Sequence, residues 1–170
     1  MTDEIALVTG AGSGVGRAVA VTLGARGMRV AITGRRAEPL AETADAVAAA
    51  GGTPLTLVGD AADPTAMEAA LERVRAAFGP PSLLVNNAGV HGGFARLVES
   101  DPHAWRHSLL TNVYGPYLMA RLCAPAMVAA GRGWIVNVGS AAGLAAPHGT
   151  GTDYVLTKVA LNYLTRQIAD

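Results

Sequence analysis

Thr9-Gly10-Ala11-Gly12-Ser13-Gly14-Val15-Gly16 joins a short apolar run, Ile5 to Val8, to a segment rich in alanine and valine. Glycines at 10, 14 and 16 let a backbone turn sharply, approach a pyrophosphate closely and pack a helix against a strand. The free N–H groups of the helix's first turn would then point at the anion. The stretch predicts strand, phosphate-holding turn and helix, the opening unit of a dinucleotide-binding domain. A tight strand-to-helix turn with no ligand is the alternative. The spacing is G-x-x-x-G-x-G rather than G-x-G-x-x-G.

Outward from this turn the same alternation repeats. Short β-rich runs predict strands near 4–9, 28–33, 53–58, 82–86 and 133–138, and alanine-rich segments with helical spacing predict helices near 14–26, 37–50, 64–78, 101–130 and 152–170. Asp63-Pro64 and Asp101-Pro102 have the form of an N-cap followed by a first-turn proline, and Gly27, Gly51, Gly79 and Gly131 stand where helices should stop. Pro116 and Pro125 predict a kink or a split in the 101–130 helix. No glycine or proline follows the helical pattern of 159–170, so the last helix is expected to be cut by the end of the chain. These elements fit one α/β domain over 1–170, a doubly wound parallel sheet.

With 170 residues the chain can bury one real core but not two. Thirteen basic and thirteen acidic side chains cancel, so no global field draws it to nucleic acid or an anionic membrane, and a small ligand is the expected partner. The apolar runs are far shorter than a membrane span, and Asp3 and Glu4 stand where a secretory signal would be positive. One cysteine, Cys123, allows no internal disulfide. A soluble protein of the reducing cytoplasm is expected.

About twenty residues past the glycines, where an acid would grip the adenosine ribose of NAD, the chain has Gly34-Arg35-Arg36. The carboxylate is missing and a guanidinium is available for a 2′-phosphate, which favours NADP over NAD. Two solvated arginines in a loop are the alternative.

Lys158 is the only lysine, the other twelve strongly basic residues being arginine, and it follows Tyr154 by four positions. On a helix these two face the same way. A free phenol ionises near pH 10, so acid-base work near neutrality asks for about 4 kcal/mol of help, and a neighbouring cation supplies help of that sign. The pair reads as a general acid-base group, or else as a solvated helix pair. Ser140, just past the fifth strand, is either a hydrogen-bond donor to a substrate oxygen or a turn serine. Asn112 is a poor helix former in mid-helix, either functional or a buried structural amide.

With Thr9-Gly10-x-x-x-Gly14-x-Gly16, Asn86-Asn87-Ala88-Gly89, Asn112, Ser140 and Tyr154-x-x-x-Lys158 in order, the chain resembles the short-chain dehydrogenase/reductase family from residue 4 onward. The resemblance implies strand order 3-2-1-4-5 and an NAD(P)-dependent oxidoreductase of ketones and secondary alcohols. It implies Asn112, Ser140, Tyr154 and Lys158 as the catalytic set, with Asn112 beside a water in a locally opened helix that links Lys158 to solvent. Gly10, Ser13, Gly14, Val15 and Gly16 would line the coenzyme, along with Arg35, Asp60, Ala61, Asn86, Ala88 and Gly89, and with Tyr154 and Lys158 themselves. Asp60 would contact the adenine, Ala61 would lie beneath it, and Asn86 to Gly89 would stabilise the sheet and line the cleft. Ser13 stands where some NADP-using members have a basic residue.

Family members continue into two further strands and a substrate-covering loop, and pair through the 101–130 and 152–170 helices as homodimers or homotetramers. Ser140 and Tyr154 are one residue further apart than in the commonest family pattern, which implies a small insertion around 147–151.

The other readings are weaker. His103 and His107 have zinc-pair spacing but lack the glutamate of H-E-x-x-H, so no metal is expected. Gly139-Ser140-Ala141-Ala142-Gly143 is not a G-x-S-x-G elbow. His91 and His148 could face a substrate cleft. A shortened member that binds nucleotide or a partner without turnover is the principal rival, and an extended-branch epimerase or dehydratase, which spaces its glycines differently, is the second.

Overall fold

Each of the five short apolar runs is a strand and the segments between them are helical in the computed structural model, which describes residues 4–93, 95–144 and 151–169. The strands are β1 (Ile5–Thr9), β2 (Arg29–Gly34), β3 (Thr53–Val58), β4 (Leu83–Asn86) and β5 (Trp134–Asn137). They form one parallel sheet in the order β3-β2-β1-β4-β5, as expected. β1 lies in the middle, with Val8 in register with Ile32 on one side and Val85 on the other. All five of its residues are buried, which is why a parallel central strand reads as a continuous apolar run.

Side chains that alternate along the strands feed two different cores. Val8, Val30 and Ile32 pack with Leu23 of α1 (Gly14–Gly24) and with Leu40 and Val47 of α2 (Ala37–Ala49). Leu7, Ala31 and Leu84 pack on the opposite face with Met67, Leu71 and Val74 of α3 (Pro64–Ala77) and with Met119 and Cys123 of the later helix. Strands are added on one side of β1 up to β3 and on the other from β4 onward, so a crevice opens at the carboxyl ends of β1 and β4.

The helix boundaries follow the local signals. Asp63 accepts from the N–H groups of Thr65 (2.9 Å) and Ala66 (3.3 Å), and Asp101 accepts from His103 N–H (2.9 Å), each ahead of its first-turn proline. The four glycine stops have φ between +64° and +99°.

The segment expected as one kinked helix over 101–130 is three pieces: α4 (Pro102–Leu109), a π-helical stretch Leu110–Tyr114, and α5 (Gly115–Ala129). Pro116 sits in the first turn of α5, where its missing N–H costs nothing, while Pro125 lies inside α5 without ending it. The final helix, α6 (Thr152–Gln167), stops short of the expected 170, at Ile168. β5 pairs with β4 on one edge, and Trp134 and Val136 on one of its faces are 54% and 47% exposed.

Candidate active site

The glycine turn is bolted to the end of β4. Thr9 Oγ1 accepts from the backbone N–H groups of Asn87 and Ala88, both at 3.1 Å, and Asn87 Nδ2 donates to the carbonyls of Thr9 and Gly10, both at 3.0 Å. The three glycines of the motif do different work. A Cβ on Gly10, which has φ +64°, would come 2.7 Å from Ala88 Cα. One on Gly16 would run into the Asn87 amide and the Gly10 carbonyl, so its absence lets α1 close on the turn. Gly14 has φ +55° and nothing within 4 Å, so its need is backbone conformation.

Above this turn lies a cleft of about 360 Å³, lined by Gly10, Gly12, Ser13 and Val15, by Thr33, Gly34, Arg35 and Arg36 after β2, by Asp60 and Ala61 after β3, and by Asn87 to Val90 after β4. Every one of these segments follows the carboxyl end of a strand, where ligands of open α/β sheets bind.

The cleft fits an extended nucleotide on chemical grounds. Thr33 Oγ1 and Thr111 Oγ1 are buried without hydrogen-bond partners among the described residues, and both residues line it. Buried hydroxyls left unpaired are costly, and such groups collect at ligand sites. Arg35 and Arg36 are exposed at the rim, and neither is ion-paired among the described residues. Asp60 uses Oδ1 to accept from Ala62 N–H (2.9 Å), which fixes the carboxylate at the cleft wall.

A second cavity of about 520 Å³ adjoins the first, with Asn87, Gly89 and Val90 lining both. Tyr154 and Lys158 line it from α6, with His91 opposite and Val138, Gly139 and Ala142 following β5. Lys158 is buried, its Nζ donates to the Val138 carbonyl at 2.7 Å, and it lies 5.6 Å from the centroid of the Tyr154 ring. Burial pulls its pKa below the ordinary 10.5. The His91 ring stacks on that of Tyr154, with centroids 4.9 Å apart and an interplanar angle of 24°.

Asn112 explains its own awkward position. It sits in the π-helical stretch, where the loosened backbone turns its amide inward. Oδ1 accepts from Val90 N–H (2.8 Å), and Nδ2 donates to the Val90 carbonyl (2.8 Å) and to Thr157 Oγ1 (3.0 Å). Ser140 caps a short 3-10 turn, Ala141–Gly143, with Oγ accepting from Ala142 N–H at 3.2 Å. Its neighbours Gly139 and Ala142 line the second cavity.

Two expected contacts need correction. Asn86 ends β4 pointing away from the cleft, its Nδ2 donating to Asn137 Oδ1 (2.8 Å) and to the Pro116 carbonyl (3.4 Å). Strand alternation puts Asn87 on the cleft side instead, so the sheet-stabilising and cleft-lining parts of the motif belong to different asparagines. Gly16 likewise contributes through packing rather than by lining the cleft. The sequence reading also passed over Thr33 and Thr111, whose only signal was a hydroxyl beside an apolar run.

His148 and most of the insertion expected around 147–151 lie outside the described residues. Among those described, no three His, Cys, Asp or Glu side chains are grouped to hold a metal ion, and no helix is long and apolar enough to cross a membrane.

Known proteins with the same geometry carry coenzyme. A sequence model of the short chain dehydrogenases matches residues 4–170. Cyclohexanol dehydrogenase of an Acinetobacter species is 33% identical over 98% of this chain and 66% of its own length. A metagenomic short-chain oxidoreductase crystallised with NADP superposes with a TM-score of 0.93 at 38% identity, over 99% of this chain and 76% of that one. An NAD+-bound xylitol dehydrogenase gives a TM-score of 0.94 at 29% identity, over 99% and 64%. The chain thus spans about two thirds of the length of the curated relative it matches. The family match spans the glycine turn, the asparagine bridge and the buried lysine beside its tyrosine: the chain belongs to the short-chain dehydrogenase family, whose members are NAD(P)-using oxidoreductases.

Proposed function

We propose that residues 1–170 form a single dinucleotide-binding unit that carries the reaction centre of an NADP(H)-dependent oxidoreductase acting on a ketone or secondary alcohol. The observation that carries this reading is that Tyr154 and Lys158 line a cavity that adjoins the nucleotide cleft, the two having Asn87, Gly89 and Val90 as common walls. The nicotinamide, when bound, supplies or accepts the hydride. Gly10, Ser13 and Val15, on the turn whose conformation Gly14 permits, would hold the pyrophosphate, Arg35 would take the 2′-phosphate, Asp60 and Ala61 would border the adenine, and Ala88 and Gly89 would line the rest of the cleft.

In the reducing direction the Tyr154 hydroxyl gives its proton to the substrate oxygen as charge develops there. The Lys158 ammonium, near the face of the same ring, favours the phenolate left behind. Ser140 steadies the substrate oxygen, its proton being available while its lone pair holds Ala142. Asn112 acts through its bonds to Val90 and Thr157. Arg35 and Arg36 at the rim and the NADP complex of the metagenomic relative favour NADP, while the xylitol dehydrogenase keeps NAD in view.

Exposed apolar side chains on α5 and α6, Tyr117, Leu156, Val159 and Tyr163, favour a homodimer or homotetramer. Cys123 is buried with its thiol pKa pushed up to about 12 by burial, which suits a cysteine kept reduced in the cytoplasm.

A second reading, coenzyme binding or oligomerisation without turnover, draws on the uncovered Trp134 and Val136 face of β5. An NADPH oxidation assay against a panel of cyclic and linear ketones, paired with coenzyme titration by fluorescence, separates the two. Turnover with saturable NADPH binding is expected. Binding without turnover on any ketone would favour the second reading, and absence of binding would defeat the first and leave only oligomerisation.

A further inference from the structure

Asp153 stands next to the tyrosine in sequence but lines neither cavity. Its side chain belongs to a residue only 5% exposed, and its carboxylate lies within a ring of donors. Oδ2 accepts from the Ser108 hydroxyl of α4 at 2.6 Å and from Gly92 N–H at 2.7 Å. The nearby N–H groups of Asp153 and Tyr154, in the first turn of α6, also favour the charged form. Burial opposes ionisation, yet these hydrogen bonds together outweigh it and leave the acid below its usual 3.8.

An acid in a first helical turn is common, because it complements the free N–H groups and the helix dipole. That role needs neither burial nor partners from elsewhere. Here two of the donors come from other elements, and one of them is a backbone that only glycine permits: a Cβ on Gly92 would stand 2.5 Å from Asp153 Oδ2 and 3.3 Å from Ser108 Oγ. The chain then turns at Gly93, with φ +120°, and Gly93 N–H donates to His91 Nδ1 at 2.9 Å. That bond orients the imidazole that stacks on Tyr154. One carboxylate therefore joins the helix that carries Tyr154, the loop that carries His91, and α4.

We propose that Asp153 is a positioning residue: its carboxylate clamps residues 90–93 onto the first turn of α6, seats His91 flat against Tyr154, and so fixes where the phenol meets its substrate. The catalytic consequence rests on the function proposed above, whereas the clamp itself does not. A carboxylate is required because all its partners donate. Asparagine would have to aim its NH2 group at some of them, so Asp153→Asn keeps part of the clamp and Asp153→Ala none.

The test combines proton NMR of the histidine rings with kinetics on the full chain. There are four histidines, and His91 is assigned as the resonance lost in His91→Gln. In the parent it is displaced by the Tyr154 ring current. Asp153→Ala should move it toward the unstacked position and lower kcat about 10–100-fold, the scale expected for a reacting group misplaced by up to about 1 Å. The Kd for NADPH should change far less than kcat, since of the clamped residues only Val90 lines the nucleotide cleft. Asp153→Asn should fall between, and Ser108→Ala, the mildest change, should move the resonance in the same direction by less.

A purely structural aspartate would lower Tm and leave the His91 resonance and the kcat of the folded fraction alone, which would overturn the proposal. So would an unmoved resonance in Asp153→Asn and Ser108→Ala if Asp153→Ala does not fold. A moved resonance with unchanged kcat would overturn the positioning role. If the parent shows no turnover, it is the proposed function that fails, and the His91 resonance still decides the clamp.

Discussion

Lys158 spends its charge in a buried place, and this conflict between stability and chemistry can be measured. With its pKa lowered by burial, the folded chain holds fewer protons than the unfolded one between the folded-state pKa and 10.5, so stability should rise with pH through that window. Lys158→Met should lose turnover, melt no lower than the parent at neutral pH, and show no such rise, as Tm followed from neutrality to alkaline pH would report. Arg35 works at the opposite end of the site. Arg35→Ser should weaken NADPH binding about 10–100-fold while leaving NADH binding unchanged, because a charge-assisted bond to a phosphate contributes about 1.5–3 kcal/mol. Parallel titrations with the two coenzymes give the ratio. Tyr154 and Lys158 were legible in the sequence because their spacing is local. Asp153 was not, since its partners Gly92 and Ser108 lie 61 and 45 residues away and meet it only when the loop folds over α6.

At the scale of elements, caps and stops were readable wherever the signal is a short side chain bonding two or three residues ahead. Asp63→Ala removes two such bonds on α3, and Asp63 itself lines neither cavity. It should cost about 1 kcal/mol in urea unfolding with kcat unchanged. The 101–130 segment was harder. Its prolines pointed to a break, but the break takes the form of a π-helical stretch stabilised by Asn112 bonding to Val90 and Thr157, contacts that no local pattern encodes. The exchange of roles between Asn86 and Asn87 has the same origin, because a one-residue difference in where β4 ends decides which amide faces the cleft.

For the whole molecule, the alternation of strands and helices was enough to anticipate a doubly wound parallel sheet, whereas the strand order came from the family resemblance. Assembly could not, since it depends on which apolar side chains stay uncovered. Tyr117, Leu156, Val159 and Tyr163 are 45–65% exposed, and light scattering is expected to find a dimer or tetramer; a monomer at micromolar concentration would assign that surface another use. The proposed function rests on Tyr154 lining a cavity that has Asn87, Gly89 and Val90 in common with the nucleotide cleft. Its most direct test is Tyr154→Phe, assayed for NADPH-dependent ketone reduction and for NADPH binding on the same preparation. Turnover should fall at least about 10²-fold, the contribution of a positioned proton donor, while NADPH binds as tightly as before. Turnover that survives the loss of this one hydroxyl would remove Tyr154 from the chemistry.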